Sequence, residues 1–135
     1  MIFPVVRIGA LADLPPEAGP AWREWLSVAE VDYCVGFQRA TEHLAARMLA
    51  KWAVAGVLGW RDQIPWLDIS IVRDPAGPPS VRLSGDAECW RQERHVVVPG
   101  VSLTHAGGYA AALAWLPADR AKLAEDGVVA GDGPS

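Results

Sequence analysis

The stretch Ala45–Gly59, AARMLAKWAVAGVLG, decides how the rest of the chain is read. Its apolar residues recur three and four apart and Gly59 closes it, which is the pattern of an amphipathic helix. Two residues sit awkwardly in that helix. Gly56 costs about 1 kcal/mol against alanine in a helix interior. Trp52 lies one turn before it on the same face, so that face carries a large indole followed by a gap.

Working outward, the bulk composition bounds what the helix belongs to. A chain of 135 residues is long enough for one domain with a real core. With 51% hydrophobic and 21% charged residues it reads as a compact folded protein and not a disordered one. A net charge of −4 argues against binding nucleic acid through a basic surface. No run approaches the roughly 18 apolar residues that signal a membrane helix. The start, MIFPVVRIG, lacks a charged region and small-residue cleavage site, so no signal peptide is expected. Cys34 and Cys89 are far apart and read as reduced thiols, which points to the cytoplasm. Seven tryptophans are many for this length, enough for some to line a ligand surface.

The elements follow in order. IFPVVRIGAL is rich in β-branched residues and reads as a strand, with Pro4 tolerable only at its start or on an edge. LADLPPEAGPAW is a punctuated linker into a short helix. In LSVAEVDYC, Ser27 with Glu30 three residues later forms a capping box. A long helix is predicted from about Arg39 to Leu58. WLDISIVRD and VRLSG form a hairpin around DPAGPPS, where Asp74 before Pro75 is a turn residue. HVVVPGVSLTH reads as a further strand and GGYAAALAWL as another strand or a buried run. The predicted fold class is α+β, a single domain over 1–118 with a long helix packed on an antiparallel sheet. Residues 119–135 are acidic and glycine-rich and read as a flexible tail.

Several side chains could carry chemistry. His43, Arg47 and Lys51 recur every four residues and form one basic stripe, either a solvated face or an anion site. SLTHAGGY brings Ser102, Thr104 and His105 beside two glycines that would let backbone amides approach a ligand. His105, His43 and Glu42 are the candidate general acid–base groups, since histidine titrates near neutrality and a desolvated carboxyl can be tuned upward. Asp68, His95, Trp60 and Trp66 read as structural or surface residues. No phosphate-cradling glycine loop is present.

Set in order, these segments resemble the small holo-acyl-carrier-protein synthases, a family of 4'-phosphopantetheinyl transferases. VVRI resembles the first-strand motif, and LSVAEVDYC looks like "FTxxExxYC". RATEHLAARMLAKWAVAGVLGW resembles "HLAARFAAKEAVxKALG". WLDISIVRDPAGPPSVRLSG looks like "W-x-DIEVxxDxxGxPxVxLxG", and VSLTHAGGYAAALAWL is similar to "SxSHxxxYAxA". The resemblance spans about residues 2 to 116. It implies a phosphopantetheinyl-transferase-like domain, a homotrimer, coenzyme A bound across a subunit interface with Mg²⁺ on its pyrophosphate, and an acyl carrier protein as partner. Arg47, Lys51, Ser102 and His105 match family positions and are the implied cofactor-binding residues.

Three positions depart from the pattern. The metal-binding aspartate of "GIDVVRI" falls on Pro4, the glutamate of "AAKEAV" on Trp52, and the lysine of "KALG" on Gly56. None supplies an oxygen ligand or a cation from its side chain, so no metal ligand is assigned. Pro4, Trp52 and Gly56 are instead expected to border an apolar substrate pocket. The implied function is a metal-independent pathway enzyme that needs no cofactor of its own, repurposed within a carrier-protein-dependent (polyketide or peptide) pathway. It would act on an acyl-phosphopantetheine or another organic intermediate. The alternatives are a non-catalytic binder of carrier protein or coenzyme A, and a true transferase recruiting ligands such as Asp32, Asp68 or Glu42.

Overall fold

The computed structural model describes residues 4–17, 19–73 and 76–117. The tail predicted from 119 onward and the Asp74–Pro75 turn lie outside them.

Strand β1 (Val5–Ala10) leads through two short 3₁₀ turns, Leu11–Asp13 and Pro20–Glu24, to helix α1 (Val28–Val35). The α1 capping box forms as predicted: Ser27 Oγ accepts from the Glu30 amide at 3.2 Å, and Glu30 Oε1 accepts from the Ser27 amide at 3.0 Å. Helix α2 (Ala40–Val57) runs within a residue of its predicted bounds, since the 3.6-residue period dominates the segment. The hairpin of β2 (Ile69–Arg73) and β3 (Pro79–Leu83) follows.

Sequence reading missed helix α3 (Gly85–Glu93), and only Gly100 onward of HVVVPGVSLTH is strand. The start of α3 is set from outside the segment. Asp68 Oδ2 accepts the Asp86 amide at 3.0 Å, and the Asp68 carbonyl accepts the Ser84 amide at 2.9 Å. Gly85 sits at φ +49, where a Cβ would meet that same carboxylate at 2.9 Å. Asp68 is therefore structural, as expected, but its partner helix is far along the chain.

Strands β4 (Gly100–Ala106) and β5 (Tyr109–Trp115) complete a three-stranded antiparallel sheet in the order β1-β5-β4. Gly107 and Gly108 both have positive φ, +58 and +85, and form the two-residue turn between β4 and β5. These glycines, read from sequence as openings for a ligand, are needed by the hairpin. One face of the sheet presents Ala110, Ala112 and Ala114 to α2, and such small residues allow a close helix–sheet approach. The core between them holds Leu44, Leu49, Val54 and Ile69, with Trp22 and Leu26 fully buried. The α+β class with a long helix on an antiparallel sheet is the fold observed. The opposite sheet face stays open, with Val6 55% and Ile8 66% exposed.

Candidate functional site

At 100° per residue, Trp52 stands half a turn round α2 from His43, so the helix faces two ways. Its His43–Arg47 side looks toward α1 and β4, while Trp52 and Gly56 look toward β1. The residues singled out in the sequence therefore separate into two places and a third, buried group.

The first place is a cavity of about 330 Å³ lined by Tyr33, Phe37, His43, Ala46, Arg47, Arg73, Leu103, Thr104 and His105. Here the three candidate acid–base residues meet. His105 Nδ1 lies 2.8 Å from Glu42 Oε2, and the two histidine rings stand edge to face, 4.9 Å between centres. Phe37 stacks on His43 at 4.1 Å. Burial, His105 and Arg47 together hold His43 below the usual histidine range, so at neutral pH it is an uncharged base. Arg47 is buried, its guanidinium 4.6 Å from the Tyr33 ring centre. Its Nε has no hydrogen-bond partner among the described residues. A buried guanidinium with a free donor beside a cavity is suited to an anionic group. Arg73 at the rim adds a second positive charge. The set can hold an anion and move a proton.

Lys51 does not join this cavity. It is fully buried, and its Nζ donates to Glu30 Oε1 at 2.6 Å, the Trp25 carbonyl at 2.7 Å and the Trp66 carbonyl at 3.1 Å. Four residues along a helix turn the direction by about 40°, so two steps from His43 carry Lys51 into the core. Periodicity alone placed it on the stripe, but the carboxylate that claims it lies 21 residues upstream. Ser102 also lies elsewhere, exposed on the open sheet face in a shallow groove with Val6 and Leu113.

The second place is the β1 side. Trp52 is 41% exposed and carries the Arg7 guanidinium 4.5 Å from its ring centre. A Cβ on Gly56 would meet Val5 Cγ1 at 3.2 Å and Arg7 Nη2 at 3.4 Å, so the glycine makes room for β1 and for Arg7. Pro4 is exposed just before β1. None of the three lines the cavity of the first place, and Trp52 and Gly56 lie beside the Arg7 guanidinium. Arg7 was not foreseen as a site residue, although its place two residues from Val5 on one strand face could have signalled it.

This side does not suit Mg²⁺. A hard cation needs oxygen ligands, while the residues present are an indole, a proline and a glycine beside a fixed positive charge. Among the described residues no group of three His, Cys, Asp or Glu converges, and the Asp68 carboxylate accepts from the Asp86 amide at the start of α3. Other tryptophans serve the fold. Trp22 is buried, Trp60 and Trp90 stack at 4.1 Å, and Trp90 Nε1 donates to the Leu58 carbonyl. No described helix is long and apolar enough to cross a membrane.

No protein-family model matches the chain. It is 38% identical over 86 residues to the holo-[acyl-carrier-protein] synthase of Geobacter sulfurreducens, covering 62% of this chain and 68% of that one. It is 42% identical over 87 residues to the synthase of Moorella thermoacetica, covering 64% and 68%. Among solved structures, the ACPS–CoA complex of Chronobacterium ammoniagenes superposes with a TM-score of 0.72 at 24% identity, covering 87% of this chain and 97% of that one. The acyl carrier protein synthase of Mycobacterium tuberculosis gives 0.61 at 30% identity, covering 87% and 98%. The sequence motifs, the helix-on-sheet fold and these relatives agree: the chain belongs to the holo-[acyl-carrier-protein] synthase family.

Proposed function

We propose that the protein acts on a phosphopantetheine-bearing partner, coenzyme A or an acyl carrier protein, without the metal-dependent transfer step. The observation behind this reading is the β1 side of α2, where Trp52 and Gly56 stand in place of ionic groups and Arg7 packs beside them. Arg47 and Arg73 would hold a phosphate or carboxylate of the ligand, and the Glu42–His105 pair with His43 would handle protons on an acyl or other organic intermediate. A carrier-protein-dependent polyketide or peptide pathway is the setting that suits such a protein.

A homotrimer belongs to the same reading. The His43–Arg47 and Trp52–Arg7 sides face away from each other, so a ligand touching both must bridge two copies. The open sheet face, with Val6 and Ile8, offers the apolar surface for such contact.

A second reading is a working transferase, moving phosphopantetheine from coenzyme A to a carrier-protein serine with other groups supplying the charge. Family membership favours it directly, since the relatives above carry that name. One experiment separates the two. The protein is incubated with apo carrier protein, coenzyme A and Mg²⁺, and the carrier is weighed. An unchanged mass is expected; a gain of one phosphopantetheine arm establishes the second reading and removes the first. With no transfer, a changed acyl group on a loaded carrier marks an enzyme. Binding without change marks a non-catalytic carrier-protein binder.

A further inference from the structure

We propose that Arg7, fixed across Gly56 and against Trp52, is a phosphate-binding residue that takes over the work of the missing cations and makes ligand binding independent of metal. The inference rests on the reading that the ligand carries a phosphopantetheine diphosphate. The geometry is specific. The Arg7 guanidinium occupies the space over Gly56 that a side chain at position 56 would otherwise fill, with Nη2 at 3.4 Å from the site of a Cβ. The family pattern has its lysine at this position, so a cation arrives at the same place from the strand and not from the helix.

Three features make this a prepared group. The indole supports one face of the guanidinium and removes rotamer freedom that a lysine would lose on binding. The Nε is buried and has no hydrogen-bond partner among the described residues. No carboxylate among the described residues forms an ion pair with Arg7. A guanidinium with no carboxylate partner among the described residues, and with donors in a planar fork, matches two phosphate oxygens at once. The substitutions at positions 52 and 56 then form one change. Glycine admits the arginine, and tryptophan holds it.

The test uses the intact protein with a chelator present. Inorganic pyrophosphate is titrated while the arginine Nε–H and tryptophan indole N–H resonances are followed by NMR. Coenzyme A affinity is measured by calorimetry with EDTA and with Mg²⁺. The Arg7 and Trp52 resonances are expected to move in EDTA, and Mg²⁺ should leave the affinity within about twofold. Arg7→Lys, which keeps charge but loses the fork, should weaken coenzyme A by about tenfold, the scale of one charge-assisted hydrogen bond. Unmoved resonances, or binding that appears only with Mg²⁺, overturn the proposal. If Arg47→Met weakens coenzyme A while Arg7→Lys does not, the cavity reading stands and this inference fails. If the unaltered protein binds no coenzyme A, both fail.

Discussion

Replacing Lys51 by methionine tests whether the buried lysine is a structural ion or a ligand group. Methionine fills nearly the same space but removes the charge and three donated hydrogen bonds, to Glu30, Trp25 and Trp66. What remains is a carboxylate on a residue only 7% exposed, and two carbonyls without their donor. Breaking one side of a buried pair costs about 3–5 kcal/mol. The lower end applies here, because the Ser27 and Ile71 amides still donate to Glu30. At roughly 4 °C per kcal/mol for a domain of this size, the melting temperature should fall by about 12 °C. Thermal unfolding by circular dichroism reads it. The double variant Lys51→Met with Glu30→Gln should recover part of the loss, as expected for coupled partners. Calorimetry completes the test: well below its melting point, the single variant should bind coenzyme A as the parent does. A variant that keeps its melting temperature but loses coenzyme A would refute the structural argument and return Lys51 to the ligand set.

Four further outcomes are expected. Gly56→Ala gains about 1 kcal/mol of helix propensity but presses on Val5 Cγ1 at 3.2 Å, so urea unfolding should show little net change. Gly56→Lys must also displace Arg7 and should cost about 1–3 kcal/mol; equal stability would mean that packing did not select the glycine. His43 has its pKa lowered by burial and by its cationic neighbours. The unfolded chain therefore takes up this proton more readily, so the contribution to stability is intact above the ordinary histidine value and is lost as pH falls through the folded one. His43→Gln should accordingly lose less stability than the parent between about pH 7.5 and about pH 5; parallel losses would count against the assignment. For the proposed trimer, Ile8→Glu on the open sheet face should shift sedimentation toward the monomer, and an unaltered mass would remove that face from the interface.

Local physics made much of this molecule legible without coordinates. The capping box at Ser27 and Glu30, the period of α2 and the β2–β3 hairpin depend on neighbours a few residues apart, and each formed close to its predicted place. Ordered motifs identified the family, and the missing side chains at Pro4, Trp52 and Gly56 could be read directly from it. Helix α3 escaped because its start is set by Asp68, from across the fold, with a glycine at φ +49 and a weakly periodic polar segment.

The site divides along the same line. Which residue types could handle protons or anions was a matter of side-chain chemistry, and Glu42, His43, Arg47 and His105 were singled out as candidates that way. Which of them stand together depends on how α1, β4 and the end of β2 close around the first half of α2. Lys51 shows the difference most sharply. Its spacing placed it with His43 and Arg47, but charge in a core must be paired, and Glu30, 21 residues upstream, supplies the partner. Sequence likewise showed that Trp52 and Gly56 lack ionic groups. Only the packing of β1 against α2 showed that a guanidinium from the strand lies over the glycine and against the indole, because contacts between distant segments are set by the fold.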